Sequence, residues 1–425
     1  MADDAMYALV LLASLAAGAV LYSGMVPIQA RAAFSAGIGV LVLCLCCQTQ
    51  AIHAFFPAAM VLLVIMLLPK YLHGKLCLSI SIGYLALARN LQLGAFTNAV
   101  LLILTLKLMS IGFDSQDGKL SSRSPILILQ YLFCFNGMLT GPFYRFTAWE
   151  EVLVLPRTGH VRKSPPGAVA RALARTIAAV AIWRGVAVFL PFSAVYDPSF
   201  GKATLLYRCV YAYLSCFQFR YRFYACWLLM EAVGLLVGHE DASNVQVLQC
   251  ELAIVPSQYV NAWNTSVQRF LVDYVYRRVP ACQRAARQLC TFLFSAYWHG
   301  IHAGYYLFFG GIAAMIAMEQ LVGAPAARRV RTLGWAPAGG MRAFICNVAC
   351  SAWTMCCFTW FGQAFHLKHT RDIQDMWERF HYVGFAVYLA PIPVALAIVA
   401  ASSRMGSSPN THVGVAPPKV ASKAN

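Results

Sequence analysis

Stretches of about 20 apolar residues recur along this chain of 425 residues, and nothing else in it restricts the fold so strongly. They lie at roughly 6–27, 33–48, 52–69, 76–93, 96–112, 126–141, 168–195, 205–236, 288–322, 341–365 and 380–402. A helix rises about 1.5 Å per residue, so some 20 residues cross the roughly 30 Å hydrocarbon layer of a bilayer. With 60% of its residues hydrophobic and 12% charged, the chain lacks the polar surface that a water-soluble domain of this size requires. The expected fold is an all-α integral membrane protein of about 11 transmembrane helices, forming one domain over residues 1–402. The Ser-, Pro- and Lys-rich stretch 403–425 reads as a disordered cytosolic tail.

The first run follows Asp3 and Asp4 and lacks a basic leader, so it is expected to remain as the first span. Basic residues gather in alternate short connections, at Arg31, at Lys70 and Lys75, and at Lys119 and Arg123, which places the N-terminus in the lumen. The net charge of +17 comes largely from such connections, including Arg157, Arg162 and Lys163, then Arg277, Arg278, Arg284 and Arg287, then Arg328, Arg329 and Arg331. Two readings stand: attraction to the cytosolic leaflet, or a site for the phosphates of coenzyme A. Nucleic acid is not expected, because no reader motif accompanies these scattered cations. Most of the 15 cysteines sit in apolar runs, where a thiol packs as a small hydrophobe. Cys44 and Cys47 form a C-x-x-C inside a span without a second pair, which favours packing over a metal.

Polar side chains inside spans are costly and tolerated mainly where they face a cavity or a partner. The densest case is the stretch from Phe294 to Phe309, where His299 sits among aromatic and small residues with no acid nearby in sequence. A neutral imidazole can take a proton from an attacking alcohol, although an interhelical hydrogen bond is an equal reading for one such histidine. Gly300 and Gly304 lie one turn apart and permit close approach, Tyr305 and Tyr306 add polar tips, and His302 shares the face. Asn264 and Gln268 are four residues apart on one helix face, where an amide can steady an oxyanion or orient a hydroxyl. Asn264-Thr265-Ser266 also fits the glycosylation pattern, against which its aromatic-rich setting argues. Gly141-Pro142 must interrupt a membrane helix, and broken helices line cavities. Arg145, Arg220, Arg222 and Glu231 are candidates for a cavity wall or for structural pairs. Lys107 is expected to snorkel toward the interface, and His366 with His369 reads as a solvated cap.

Trp298-His299-Gly300 followed by Gly304-Tyr305 matches the W-H-G-x-x-x-G-Y motif of the membrane-bound O-acyltransferases, and Trp263-Asn264 matches their upstream asparagine motif. The chain therefore resembles that family, in particular its lysophospholipid acyltransferases acting on lysophosphatidylinositol. Further similar stretches are Phe96–Val100, Leu104–Leu108, Met138–Arg145 and Tyr221–Trp227. The resemblance implies helices around an internal tunnel, His299 as general base, and Asn264 as its catalytic companion. It implies transfer of a polyunsaturated acyl chain to the sn-2 hydroxyl of a lysophospholipid, with acyl-CoA as co-substrate and neither cofactor nor metal. Candidate substrate-binding residues are Trp263, Gln268, Trp298, Gly300, His302, Gly304, Tyr305, Arg145 and Arg222. Endoplasmic reticulum membrane is the implied location, membrane lipids are the surroundings, and the oligomeric state stays open. The segment between Gly238 and Asn261 is shorter than such relatives lead one to expect, which bears on the head group. Rival readings are another lysophospholipid acceptor, a transporter, which would show repeated halves with paired broken spans, and a non-catalytic scaffold.

Overall fold

The computed structural model describes residues 2–154, 162–197, 199–280, 284–332 and 339–405, and every regular element among them is helical. The N-terminal part comprises α1 (Ala2–Ser23), α2 (Arg31–Cys47), α3 (Ile52–Leu67), α4 (Lys70–Asn90) and α5 (Ala95–Gln116). Two short helices, α6 (Pro125–Leu132) and α7 (Phe146–Leu153), precede the long pair α8 (Pro166–Phe189) and α9 (Leu205–Val237). Three more short helices follow, α10 (Val247–Glu251), α11 (Pro256–Ala262) and α12 (Thr265–Tyr274). The C-terminal part is α13 (Arg284–His299), α14 (Ala303–Met318), α15 (Ala324–Thr332), α16 (Gly340–Leu367), α17 (Thr370–Arg379), α18 (Val383–Leu389) and α19 (Pro391–Met405). Residues 403–405 of the expected tail close α19, and 406–425 lie outside the described residues, as do 155–161 with Arg157.

Local chemistry sets the helix ends. Proline opens α6, α8 and α11, where its missing N–H costs nothing. Thr204 caps α9 by accepting from the Tyr207 N–H, and Gly238, at φ +116°, ends it in the left-handed region.

By length and composition, seven stretches among the described residues can cross a membrane, or eight if the pair Thr370–Arg379 and Val383–Ile398, bent by 81°, is one span. The apolar runs suggested about 11, and the difference has physical causes. Residues 28–67 form one nearly continuous helical stretch broken only by a 3-10 turn. The 126–141 run becomes the eight-residue α6 followed by irregular backbone. The 288–322 run divides at Gly300 into α13 and α14, and α9 carries Arg208, Arg220, Arg222 and Glu231.

Buried cations hold the interior together by capping helix ends. Arg31, fully buried, donates to the carbonyls of Leu21 and Val237 at 2.8 and 2.9 Å, in the last turns of α1 and α9. Lys107 does not snorkel: it is buried in mid-α5 and donates to the carbonyls of Tyr131 and Leu132 at the end of α6. Those carbonyls have no partner within their own helix, so the ammonium satisfies them where water cannot. The non-helical segment 133–144 is almost wholly buried, as the Gly141-Pro142 break requires. Gly141 adopts φ +102°, and a Cβ there would press on the Met230 Cβ at 2.7 Å. The segment's polar groups are met from outside: Asn136 Nδ2 donates to His239 Nε2 at 3.2 Å, and the Phe143 N–H donates to Ser266 Oγ at 2.8 Å. Burial pushes the His239 imidazole down to about 3, consistent with its accepting that bond and stacking on Tyr144.

Candidate active site

A cavity of about 340 Å³ runs between α9, α11, α12, α13, α14 and α16, within the size range of small-molecule sites. Its walls are mostly apolar and aromatic, with Trp263, Phe292, Phe309 and Phe358 among them. Helical periodicity builds two facing stripes. Asn264, Val267, Gln268 and Leu271 line it from the start of α12, while Gln288, Thr291, Ser295, Trp298 and His299 line it along α13. Asn264 and His299, 35 positions apart in sequence, thus face one space, together with Trp263, Gln268 and Trp298.

Asn264 is the residue before α12 and adopts φ +46°, ψ +54°, a left-handed conformation that asparagine tolerates better than most residues. Its Oδ1 accepts from Asn244 Nδ2 at 3.0 Å. Asn244, fully buried, accepts the Ser266 N–H and hydroxyl on its Oδ1 at 3.1 and 2.7 Å, and its carbonyl accepts the Thr265 N–H at 2.9 Å. The stretch 238–262, which includes the short helices α10 and α11, therefore supplies the inner support of the asparagine. Neither Asn244 nor Ser266 was singled out by the sequence, where an uncharged amide in a polar stretch carries no sign of burial.

His299 is the last residue of α13, and its imidazole makes no hydrogen bond to a described residue. Rings enclose it instead: Trp298 at 4.8 Å, Phe365 at 5.1 Å edge-on, Phe309 at 5.3 Å stacked and Tyr305 at 6.0 Å between centroids. The helix end beneath it is secured by Arg89 on α4, which donates to the Trp298 carbonyl at 2.9 Å, and by the Trp298 indole, which donates to the Leu102 carbonyl at 2.8 Å. Both bonds fix where α13 stops, and hence where the imidazole begins.

The other expected residues occupy supporting or separate places. Gly304 is buried against α16: its N–H donates to the Lys368 carbonyl at 2.9 Å, and a Cβ would overlap the Ala364 carbonyl. A Cβ on Gly300 would meet the Tyr305 ring at 2.6 Å. His302 is exposed beside His369, at 4.9 Å between rings, and is not part of the cavity lining. Arg145 pairs with Asp273 and lies over the Tyr274 ring, and Arg222 lies over Trp183, so both stand outside the cavity wall. Arg220 does line it: the buried guanidinium binds Glu251 with two bonds of 2.8 and 2.7 Å, and Tyr224 donates to the same carboxylate. Leaving either charge of such a buried pair alone costs about 3–5 kcal/mol.

Arg284 and Arg287 are not part of the cavity lining but precede it on α13, one turn before Gln288 and Thr291, on the helix face that continues to His299, a path of about 22 Å at 1.5 Å per residue. Arg287 lies over the Tyr276 ring and donates to the Val279 carbonyl. Arg278 binds Asp117 through both oxygens and holds that carboxyl down to about 2.

Comparison with known proteins agrees with this geometry. A family model described as MBOAT, membrane-bound O-acyltransferase family, matches residues 41–361. The membrane-bound acylglycerophosphatidylinositol O-acyltransferase MBOAT7 of Bos taurus is 27% identical over 347 residues, 67% of this chain and 73% of its own. The acylglycerophosphatidylinositol O-acyltransferase frj of Drosophila melanogaster is 23% identical across 91% of each chain. Lysophospholipid acyltransferase 1 of Arabidopsis thaliana is 28% identical over 267 residues, 54% of this chain and 58% of its own. Since the family match covers most of the chain and runs through both sides of the cavity, this protein belongs to the membrane-bound O-acyltransferase family.

Proposed function

We propose that this protein transfers an acyl group from acyl-CoA to the free hydroxyl of a lysophospholipid, with lysophosphatidylinositol as preferred acceptor. The observation that carries this reading is that Asn264 and His299 face one apolar cavity. Donor phosphates rest near Arg284 and Arg287, and the thioester reaches down the α13 stripe while the lysolipid enters from the bilayer. His299 accepts the hydroxyl proton as the oxygen bonds to the thioester carbon. The carbon–sulfur bond then breaks, and the imidazolium returns that proton to the departing thiolate, so that coenzyme A leaves as a thiol without an acyl-enzyme. A placed general base contributes about 10² to 10⁴ in rate, and one oxyanion donor about 10² to 10³. The head group rests on the acylglycerophosphatidylinositol acyltransferases among the similar proteins, and the proposed location, the endoplasmic reticulum membrane, rests on the family resemblance alone.

The test is acyl transfer by membranes containing this chain, given arachidonoyl-CoA and a panel of lysophospholipids, beside His299→Ala. Highest activity with lysophosphatidylinositol, lost in the variant, is the expected result. Another preferred acceptor replaces the head group and keeps the chemistry. Wild-type activity no higher than that of the variant and of membranes lacking the chain overturns the reading.

A further inference from the structure

A carboxamide has a donor end and an acceptor end, and the bonds around Asn264 determine which end faces the cavity. A backbone N–H can only donate, and two such groups fix the direction of every bond in this network. The Phe143 N–H donates to Ser266 Oγ, so the hydroxyl's own proton goes to its other partner, Asn244 Oδ1, at 2.7 Å. The Ser266 N–H donates to the same Oδ1 at 3.1 Å, which fixes that atom as oxygen. Asn244 must then present Nδ2 to Asn264, and a donor at 3.0 Å requires Oδ1 of Asn264 opposite it. The Asn264 Nδ2 is left for the cavity, with no protein acceptor among the described residues.

We infer that Asn244 and Ser266 are positioning residues that lock Asn264 as a hydrogen-bond donor to the acyl carbonyl, rather than as an acceptor for the incoming hydroxyl. This inference rests on the acyl-transfer reading above and narrows it. Asn244 is fully buried and does not line the cavity, so changing it alters no substrate contact. The polarity also reaches back to the broken segment through Phe143, which gives the Gly141-Pro142 interruption a role: it turns an unpaired N–H toward Ser266.

The experiment uses the full chain, purified in lipid nanodiscs, with kcat and both KM values measured for Asn244→Leu, Asn264→Ala, Asn264→Asp and the double variant Asn244→Leu/Asn264→Ala. Binding of a non-reactive thioether analogue of acyl-CoA reports that each variant is folded. The expected kcat of Asn244→Leu is about 10²-fold below wild type, the loss typical of one oxyanion donor. Its KM values stay within about twofold, and the double variant is no slower than Asn264→Ala, because the two act through one group. Asn264→Asp, which keeps the shape without the donor, is expected to be as slow as Asn264→Ala. Wild-type kcat in Asn244→Leu while Asn264→Ala is impaired overturns the positioning role and leaves acyl transfer standing. Wild-type kcat in Asn264→Asp overturns the donor assignment. No turnover by the wild type with any lysophospholipid removes the reading beneath both. Should Asn244→Leu fail to bind the analogue, Ser266→Ala reads the same relay, with about a tenfold fall in kcat for one lost hydrogen bond and unchanged kcat as the contrary result.

Discussion

Asn264 and His299 face one cavity, yet the chain holds them in opposite ways. The asparagine is gripped by a directional bond from Asn244, itself bonded to Ser266 and Thr265, at a left-handed turn into α12. The histidine is held by shape alone, walled by Phe309, Phe365, Trp298 and Tyr305 at the end of a helix that Arg89 caps. The difference suits two tasks. A group that donates to a developing charge gains from a fixed direction. A group that accepts a proton and passes it on needs a ring nitrogen left free of protein partners, and aromatic walls confine a ring without occupying its nitrogens.

The largest effect should come from removing proton transfer while keeping shape and polarity. His299→Gln leaves an amide of similar size within the same walls but no usable base. We expect kcat to fall by about 10³ with little change in either KM, as for loss of a general base. Single-turnover measurement with radiolabelled acyl-CoA checks this on the chemical step. A KM effect without a kcat effect would make the histidine a binding group and erase the contrast between the two sides.

A smaller effect should follow from loosening the walls. Phe365→Leu removes an edge-on ring from His299 and from Tyr305, at 5.1 and 5.0 Å. Such ring pairs contribute about 0.5–1.5 kcal/mol, which converts to at most about tenfold in kcat if all of it served to orient the imidazole. The same change should leave the Asn264 side intact, so its loss should multiply with that of Asn244→Leu rather than merge with it. Merging would show that both sides belong to one unit.

Both members of the pair were legible in sequence, His299 because a polar side chain in an apolar run is conspicuous, and Asn264 because it lies four residues before Gln268 and follows Trp263 in the family's asparagine motif. Their supports were not. Asn244 lies among polar residues outside the apolar runs, and it is bonded to Thr265 and Ser266 at the start of α12, a contact between distant positions that spacing does not reveal. The number of spans was obscured for a related reason. Three of the four charged groups that weaken the apolar character of α9 are answered by polar partners elsewhere, Arg220 by Glu251 on α10, Glu231 by Arg175 on α8 and Arg208 by the Arg379 carbonyl on α17, while Arg222 lies over the Trp183 ring. Depth was equally hidden. The stretches 95–116 and 166–195 are alike in hydropathy, yet in an apolar 18-residue segment of each, 78% of the residues are buried in the protein in the first and 6% in the second. A bilayer and a protein interior select the same side chains, so hydropathy cannot separate them. Lys107 and Asp114 in α5 were the available sign, since buried charges need partners that lipid does not provide.

The smallest effect, and the sharpest test of confinement by shape, is expected at Tyr305. Its position in the family motif suggests a substrate contact, but its hydroxyl has no hydrogen-bond partner among the described residues. Its ring packs on Phe365, lies 6.0 Å from His299 and fills the space that a Cβ on Gly300 would need. If the ring alone matters, Tyr305→Phe should keep kcat and both KM values within about twofold, a change too small for one hydrogen bond to the reacting groups. Tyr305→Ala should instead behave like Phe365→Leu, because it opens the same wall. A tenfold or greater loss of kcat in Tyr305→Phe would place the hydroxyl on the substrate or on the imidazole. The histidine would then be held by a directional bond, as the asparagine is, and confinement by aromatic walls would no longer distinguish the two sides of the cavity.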